Sequence, residues 1–187
     1  MDIQQGMTRR HFIRLAMAMA AAPLLSHSKQ AAAVADFWSR PRTLKLRRLV
    51  TGETVTATYW AEGEVIASEY SALCTVLRDV RANESTAMSL DLLNILTGIQ
   101  GWFRGYGQDR VIDITSGLRL PSTNNRIEGA AKDSLHTKGR AADIRMTDVP
   151  PDYIAKLGMY LEGGGVGIYP DKNFTHVDDG RIRSWRG

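Results

Sequence analysis

An α+β domain, with its N-terminal helices packed on a small antiparallel β-sheet, is the architecture predicted by this 187-residue sequence. Three observations lead there. Two alternating segments flank a turn near the front of the body. Two stretches with helical spacing follow. The last third then holds several short alternating runs separated by glycine-bearing, polar loops.

Taken in order, DFWSRPR (36–42) reads as a lead-in. TLKLRRLV and TVTATYW alternate apolar and polar positions around TGE, the pattern of a hairpin. From 68 to 82, Tyr70, Leu73, Leu77 and Val80 recur at three- and four-residue intervals, which predicts a helix. Ser89 suits the N-cap of a second helix carrying Leu92, Leu93, Leu96, Ile99 and Phe103. The glycines of GYGQD end that pattern. VIDIT (111–115) is a short β-type run, and the polar residues 116–139 read as a long loop. RAADIRM alternates again. Pro150 and Pro151 precede a short helix around Tyr153, Ile154 and Leu157, and GGGVGIY and NFTHVD are strand-like.

Apolar residues make up 43% of the chain and charged residues 24%, a composition that buries a core and is not that of a disordered chain. The formal charge of +4 is concentrated at the front. Residues 1–35 hold Arg9, Arg10, Arg14 and Lys29 against Asp2, and without them 20 basic and 19 acidic residues leave +1. A nearly neutral body argues against a nucleic-acid partner. The single cysteine, Cys74, cannot form an intramolecular disulfide, and its helical apolar surroundings suit a small buried side chain better than a nucleophile.

The first 35 residues have the three-part layout of an export signal: paired arginines, a weakly apolar run from Leu15 to Leu25, and Ala33-Val34-Ala35 as a cleavage site. Thr8-Arg9-Arg10-His11-Phe12-Ile13-Arg14 resembles a twin-arginine signal. The run is shorter than the roughly 20 apolar residues of a membrane span. The expected layout is an export signal over 1–35, a functional domain over 36–187, no stable membrane span once the signal is removed, and a place in the periplasm or cell envelope.

His11 and His27 fall in the signal, so the mature chain keeps His136 and His176. In a strand through 141–146, Ala142, Ile144 and Met146 share an apolar face while Ala141, Asp143 and Arg145 share the other. By the same alternation Phe174, His176 and Asp178 lie on one face. Two histidines and a carboxylate form a ligand set used by catalytic zinc, each ligand atom about 2.0–2.2 Å from the metal. Strands about 4.8 Å apart can bring such groups together. The same residues in loops also serve as ordinary hydrogen-bonding groups, and spacing alone leaves both readings open.

SGLRLPSTNNRIEG, AKDSLHTKGRAADIR and GGVGIYPDKNFTHVDDGRIRSW together resemble the YcbK-like murein endopeptidases, members of the zinc peptidase superfamily that includes D-Ala-D-Ala metallopeptidases, lysostaphin and the hedgehog domain. Ser134, His136, Gly139, Ala141 and Asp143 match the signature S-x-H-x-x-G-x-A-x-D; Ser116, Gly117 and Arg119 match a preceding S-G-x-R; His176 matches the later histidine. The resemblance spans about residues 40–187. It implies a LAS/hedgehog-type fold with Zn2+ on His136, Asp143 and His176, peptidoglycan as the partner, and a substrate role for Arg119, whose guanidinium fork suits a stem-peptide carboxylate. Arg119 also reads as a salt-bridge residue. Ser134 is expected to hydrogen-bond substrate or to support its loop, and Gly139 to permit a tight turn between ligands.

Many relatives place a proton-accepting residue two or three positions before the last histidine. Asn173 and Phe174 stand there in this chain, and neither serves as a base. Asp178 is the candidate general base, with the orientation of a ligand histidine as its alternative role; Asp171 and Asp179 are weaker candidates. The expected function is an exported zinc peptidase that hydrolyses peptidoglycan cross-links. The alternatives are a D-Ala-D-Ala-type carboxypeptidase on stem peptides and a non-catalytic, zinc-containing wall-binding module.

Overall fold

The alternation of RTLKLRR forms the first strand, β1 (Arg42–Arg48), which buries Leu44 and Leu46 on one face. A computed structural model describes residues 40–127, 129 and 131–187, so the export segment expected over 1–35 lies outside the described residues. β2 (Thr54–Ala61) returns antiparallel to β1, with Leu46 opposite Val55, as the hairpin pattern requires. The two-residue β3 (Glu64–Val65) closes that edge.

Helix α1 (Ala67–Val76) is shorter than the 68–82 expected. Two interactions stop it. The Leu77 carbonyl accepts from Leu118 N, and the Asp79 carboxylate accepts from Arg81 N and Ala82 N, which turns the chain where the apolar spacing alone suggests another helical turn. Helix α2 (Leu90–Gly105) follows, with the Ser89 hydroxyl accepting from Leu92 N as the predicted cap. It buries Leu92, Leu93, Leu96, Ile99 and Phe103. β4 (Ile112–Ser116), the short α3 (Pro121–Asn124), a 3-10 turn at Leu135–Lys138, β5 (Ala141–Arg145), α4 (Pro151–Leu161), β6 (Gly165–Tyr169), β7 (Phe174–Asp178) and β8 (Arg183–Arg186) complete the order. Pro151 opens α4, where its missing N–H costs no helical bond.

Among the described residues the eight strands form one sheet, in the order β3-β2-β1-β4-β5-β7-β6-β8. This corrects the expectation of a small antiparallel sheet: the sheet is larger, and β1/β4 and β6/β8 pair in parallel. The first parallel pair arises because α1 and α2 carry the chain back between β1 and β4, a crossover that a hairpin cannot make. The second arises from β8, whose sequence RSWR is too short and polar to read as a strand. The core lies between one sheet face and α1, α2 and α4, with Leu44, Leu46, Ile112, Ile114, Ala142, Ile144 and Val177 packed against Leu73, Leu92, Leu96 and Ile154. The opposite face carries the polar members of β4, β5 and β7. Among the described residues no helix is long and apolar enough to cross a membrane.

Candidate metal centre

β5 and β7 are antiparallel neighbours in a register that sets Asp143 directly opposite His176. Their alternation buries Ala142, Ile144 and Val177 in the core and turns Asp143 and His176 to the other face. His136 reaches the same spot from the long loop 116–139. Its 3-10 turn begins at Ser134, whose hydroxyl accepts from His136 N, and ends at Gly139 in the left-handed region with φ 66°. A Cβ at Gly139 would also lie 3.0 Å from the Ala87 carbonyl oxygen, so the motif glycine answers both a backbone and a packing demand.

Three atoms converge. His136 Nε2 lies 3.1 Å from His176 Nδ1 and 3.2 Å from Asp143 Oδ1, and His176 Nδ1 lies 2.9 Å from Asp143 Oδ1. Ligands about 2.0–2.2 Å from a tetrahedral ion stand about 3.3–3.6 Å apart, so a small outward shift of these side chains gives the triangle that such an ion needs.

The outer nitrogens fix the tautomers. His136 Nδ1 donates to the Gly117 carbonyl at 2.7 Å, and His176 Nε2 donates to Asp178 Oδ2 at 2.9 Å. With those outer nitrogens protonated, each ring in its neutral form turns an unprotonated nitrogen inward, the arrangement of metal-binding histidines. Gly117 can offer its carbonyl only because it has no side chain, since a Cβ there would lie 2.3 Å from the Leu77 carbonyl oxygen.

Electrostatics favour a cation at the triangle. Burial pushes the pKa of His136 down despite the pull of Asp143, which keeps the ring neutral. Burial also opposes charge on His176, but its bonds to Asp143 and Asp178 outweigh that and raise its pKa. Burial works against ionised Asp143 too, yet the two histidines hold its carboxyl far below the usual range. Two ring nitrogens and a carboxylate oxygen within hydrogen-bonding distance of one another, nearly shielded from water, suit a divalent cation, which would take the place of any proton shared among them. Among the described residues this is the one His/Cys/Asp/Glu cluster of that form.

The family model described as peptidoglycan L,D-endopeptidase MepK, of the peptidase M15 type, matches residues 37–185. The chain belongs to that family. It is 37% identical over 150 residues to "Peptidoglycan L,D-endopeptidase MepK" of Escherichia coli K12, an alignment covering 78% of this chain and 81% of that protein. It is 33% identical over 153 residues to "Probable peptidoglycan L,D-endopeptidase MepK" of Haemophilus influenzae, covering 79% and 81%. The family agrees with the resemblance drawn from the S-x-H-x-x-G-x-A-x-D and S-G-x-R stretches.

The other expected site residues lie close by. Arg119 donates from Nη2 to Asp143 Oδ2, the carboxylate oxygen outside the triangle, and from Nε to Ser116 Oγ at 2.7 Å. Ser134 caps the turn that carries His136. Asp178 lies behind His176, on the ring edge away from the triangle. It accepts two further bonds from Arg183 (3.1 and 2.7 Å) and one each from Gly165 N and Gly180 N. Burial works against its charge, but the bonds from His176 and Arg183 drive its pKa down. Asp179 is held by Arg140 and Ser89, and Asp171 is exposed. Cys74 is buried, and burial raises its thiol pKa, so it is no nucleophile.

Sequence reasoning missed Arg183 and Trp185, whose indole lies 5.2 Å from the His176 ring, because β8 was not foreseen. It also missed Asp79, which accepts from Leu120 N at 2.8 Å and pins the segment carrying Gly117 and Arg119. The signal available for Asp79 was an aspartate inside the expected helix, a residue type whose side-chain-to-backbone bonds start turns.

Proposed function

We propose that this chain is an exported zinc peptidase that hydrolyses peptide cross-links in peptidoglycan, acting as an L,D-endopeptidase. The observation that carries the reading is the convergence of two imidazole nitrogens and one carboxylate oxygen in a nearly water-excluded triangle. Family membership and the printed activity of the relatives supply the substrate class. Peptidoglycan lies outside the cytoplasmic membrane, which agrees with the export signal read over 1–35.

In this reading His136 Nε2, His176 Nδ1 and Asp143 Oδ1 hold Zn2+. A zinc ion held there supplies Lewis acidity toward a peptide carbonyl and toward water. The remaining residues keep that set in shape. Gly117 and Asp178 hold the two rings in the tautomers that leave a nitrogen free. Arg119 occupies the second oxygen of Asp143, which favours one-oxygen ligation, and its guanidinium stays within reach of a substrate carboxylate beside the triad. Ser134 positions His136 through its turn. Asp178 is a positioning residue and not the general base: its carboxylate is engaged by five donors and is turned away from the reacting side.

Mature protein incubated with zinc and purified cross-linked muropeptides is expected to convert dimers to monomers. A chelator and His136→Ala are each expected to abolish the conversion. Release of terminal D-Ala alone would favour the carboxypeptidase reading, and wall binding without turnover in the zinc-loaded protein would favour the binding module.

A further inference from the structure

The register lines up His176 of β7, Gly167 of β6 and Trp185 of β8 in one row across three strands. With β6 between β7 and β8, the His176 and Trp185 backbones stand about 10 Å apart. The Trp185 indole nevertheless reaches to 5.2 Å from the His176 ring, centroid to centroid. Gly167 makes that reach possible. A Cβ there would lie 2.6 Å from Trp185 Cε2 and Cζ2 and 2.8 Å from Nε1, so the indole lies across a strand position that any other residue would fill.

The indole is held on its other sides as well. Its Nε1 donates to the Tyr169 hydroxyl at 2.9 Å, and the Tyr169 ring stacks on Phe174 with centroids 4.5 Å apart. The Arg183 guanidinium lies over the indole, 4.9 Å from its centroid. Arg183 and Trp185 share one face of β8, and Arg183 also holds Asp178, the acceptor of the His176 Nε2–H. Arg186 turns to the other side of the strand and pairs with Asp152 of α4 at 2.7 Å. β8 therefore brings two side chains onto a single hydrogen bond: Arg183 onto its acceptor, and Trp185 onto the ring that donates it.

We infer that Trp185, seated on Gly167, is a positioning residue for His176: it fixes the plane of the ring and keeps water from the bond between His176 Nε2 and Asp178. The inference rests on the peptidase reading only for its consequence, that Nδ1 on the inner edge of the ring stays aimed at zinc. The side chains of His176 and Asp178 are 12% and 0% exposed, so little but the indole's removal is needed to let water reach the donor. A hydrogen bond beyond the reach of water is electrostatically stronger than one for which water competes. Outer partners of this kind decide how firmly a ligand histidine is oriented.

The test compares Trp185→Ala, Trp185→Phe and Gly167→Ala with wild type by two measurements. The first is the exchange of the His176 Nε2 proton with water in the zinc-free protein, followed by NMR with isotope-labelled histidine. Exchange is expected to be about tenfold faster or more in Trp185→Ala and in Gly167→Ala, which displaces the indole without removing it. Trp185→Phe keeps an aromatic ring over Gly167 and is expected to exchange close to the wild-type rate. The His136 Nδ1 proton, bonded to the Gly117 carbonyl on the other ring, is the internal control and is expected to keep its rate in all three. The second measurement is the zinc Kd by competition with a chromophoric chelator, expected to rise about ten- to a hundredfold in the first two variants and to be restored by phenylalanine. Wild-type exchange and zinc Kd in Trp185→Ala would overturn the inference. Equal acceleration at His136 would overturn it too, because the loss would then be a general loosening of the fold. Exchange at His176 that depends on Trp185, in a protein that takes up no zinc, would overturn the metal reading and leave the positioning role standing.

Discussion

His176 Nε2 donates to Asp178 Oδ2 on the side of the ring opposite the nitrogen that faces Asp143 and His136. An aspartate so placed fixes the tautomer and raises the basicity of the inner nitrogen, which is metal-positioning work. Asp178→Asn keeps the shape and removes the charge. It is expected to lower zinc affinity about ten- to a hundredfold, with turnover restored at saturating zinc and an unchanged pH profile. Zinc titration followed by kcat measurement at full occupancy checks this. A fully loaded variant with turnover near background would return Asp178 to the role of general base.

The triad makes a sharper demand on metal content. His136→Ala, Asp143→Ala and His176→Ala each remove one of the three proposed ligands. Each is expected to drop bound zinc from about one ion per chain to a small fraction at the same free zinc concentration. Arg119→Ala differs, because it frees Asp143 Oδ2 but leaves every proposed ligand atom in place. It is expected to keep most of its zinc and to lose activity mainly through KM. Metal analysis by mass spectrometry beside steady-state kinetics separates the two patterns. An Arg119→Ala protein empty of zinc would make that arginine chiefly a prop for Asp143.

Much of this site was legible from alternation alone. Asp143 and His176 follow from placing Ala142, Ile144, Met146 and Val177 on the core face, and the strands oblige by pairing Asp143 with His176. Ser89 as a helix cap was legible for the same reason, since a hydroxyl before an apolar run satisfies a local backbone N–H. What escaped depends on partners far away in the chain. The end of α1 is decided by the bond from Leu118 N to the Leu77 carbonyl, across 41 positions, and no periodicity encodes it. The parallel pairing of β8 with β6 hid Arg183, and hence the full set of donors on Asp178. The direction in which Asp178 points relative to the ring is a matter of rotamer and register, so face-sharing with His176 was legible and the side of approach was not.

Gly139 links the motif to the backbone. With φ at 66° and Ala87 O 3.0 Å from any added Cβ, Gly139→Ala is strained in two ways. A loss of about 1–3 kcal/mol in unfolding free energy is expected. The turn it ends carries His136, so zinc affinity is expected to fall with stability. Denaturant unfolding with and without zinc reads both effects. A variant as stable as wild type in each condition would mean that the turn relaxes at no cost.

Asp79 supplies a pH-dependent test of the loop that shapes the site. Its carboxylate accepts from Arg81 N, Ala82 N and Leu120 N. Burial favours its neutral form, but these bonds and one from Thr123 outweigh burial and lower the pKa. A pKa lower in the folded than in the unfolded chain adds stability that is fully present above the unfolded value, about 3.9, and is lost as pH falls through the folded value. Asp79→Asn cannot accept from Leu120 N with its amide nitrogen while its oxygen serves Arg81 and Ala82. At pH 7 it is expected to cost about 1–3 kcal/mol, and the gap to wild type is expected to narrow below about pH 4. Because Leu120 ends the segment that offers the Gly117 carbonyl to His136, zinc affinity at pH 7 is expected to fall as well. A gap that stays constant between pH 7 and pH 3.5 would mean that Asp79 acts through packing rather than through its charge.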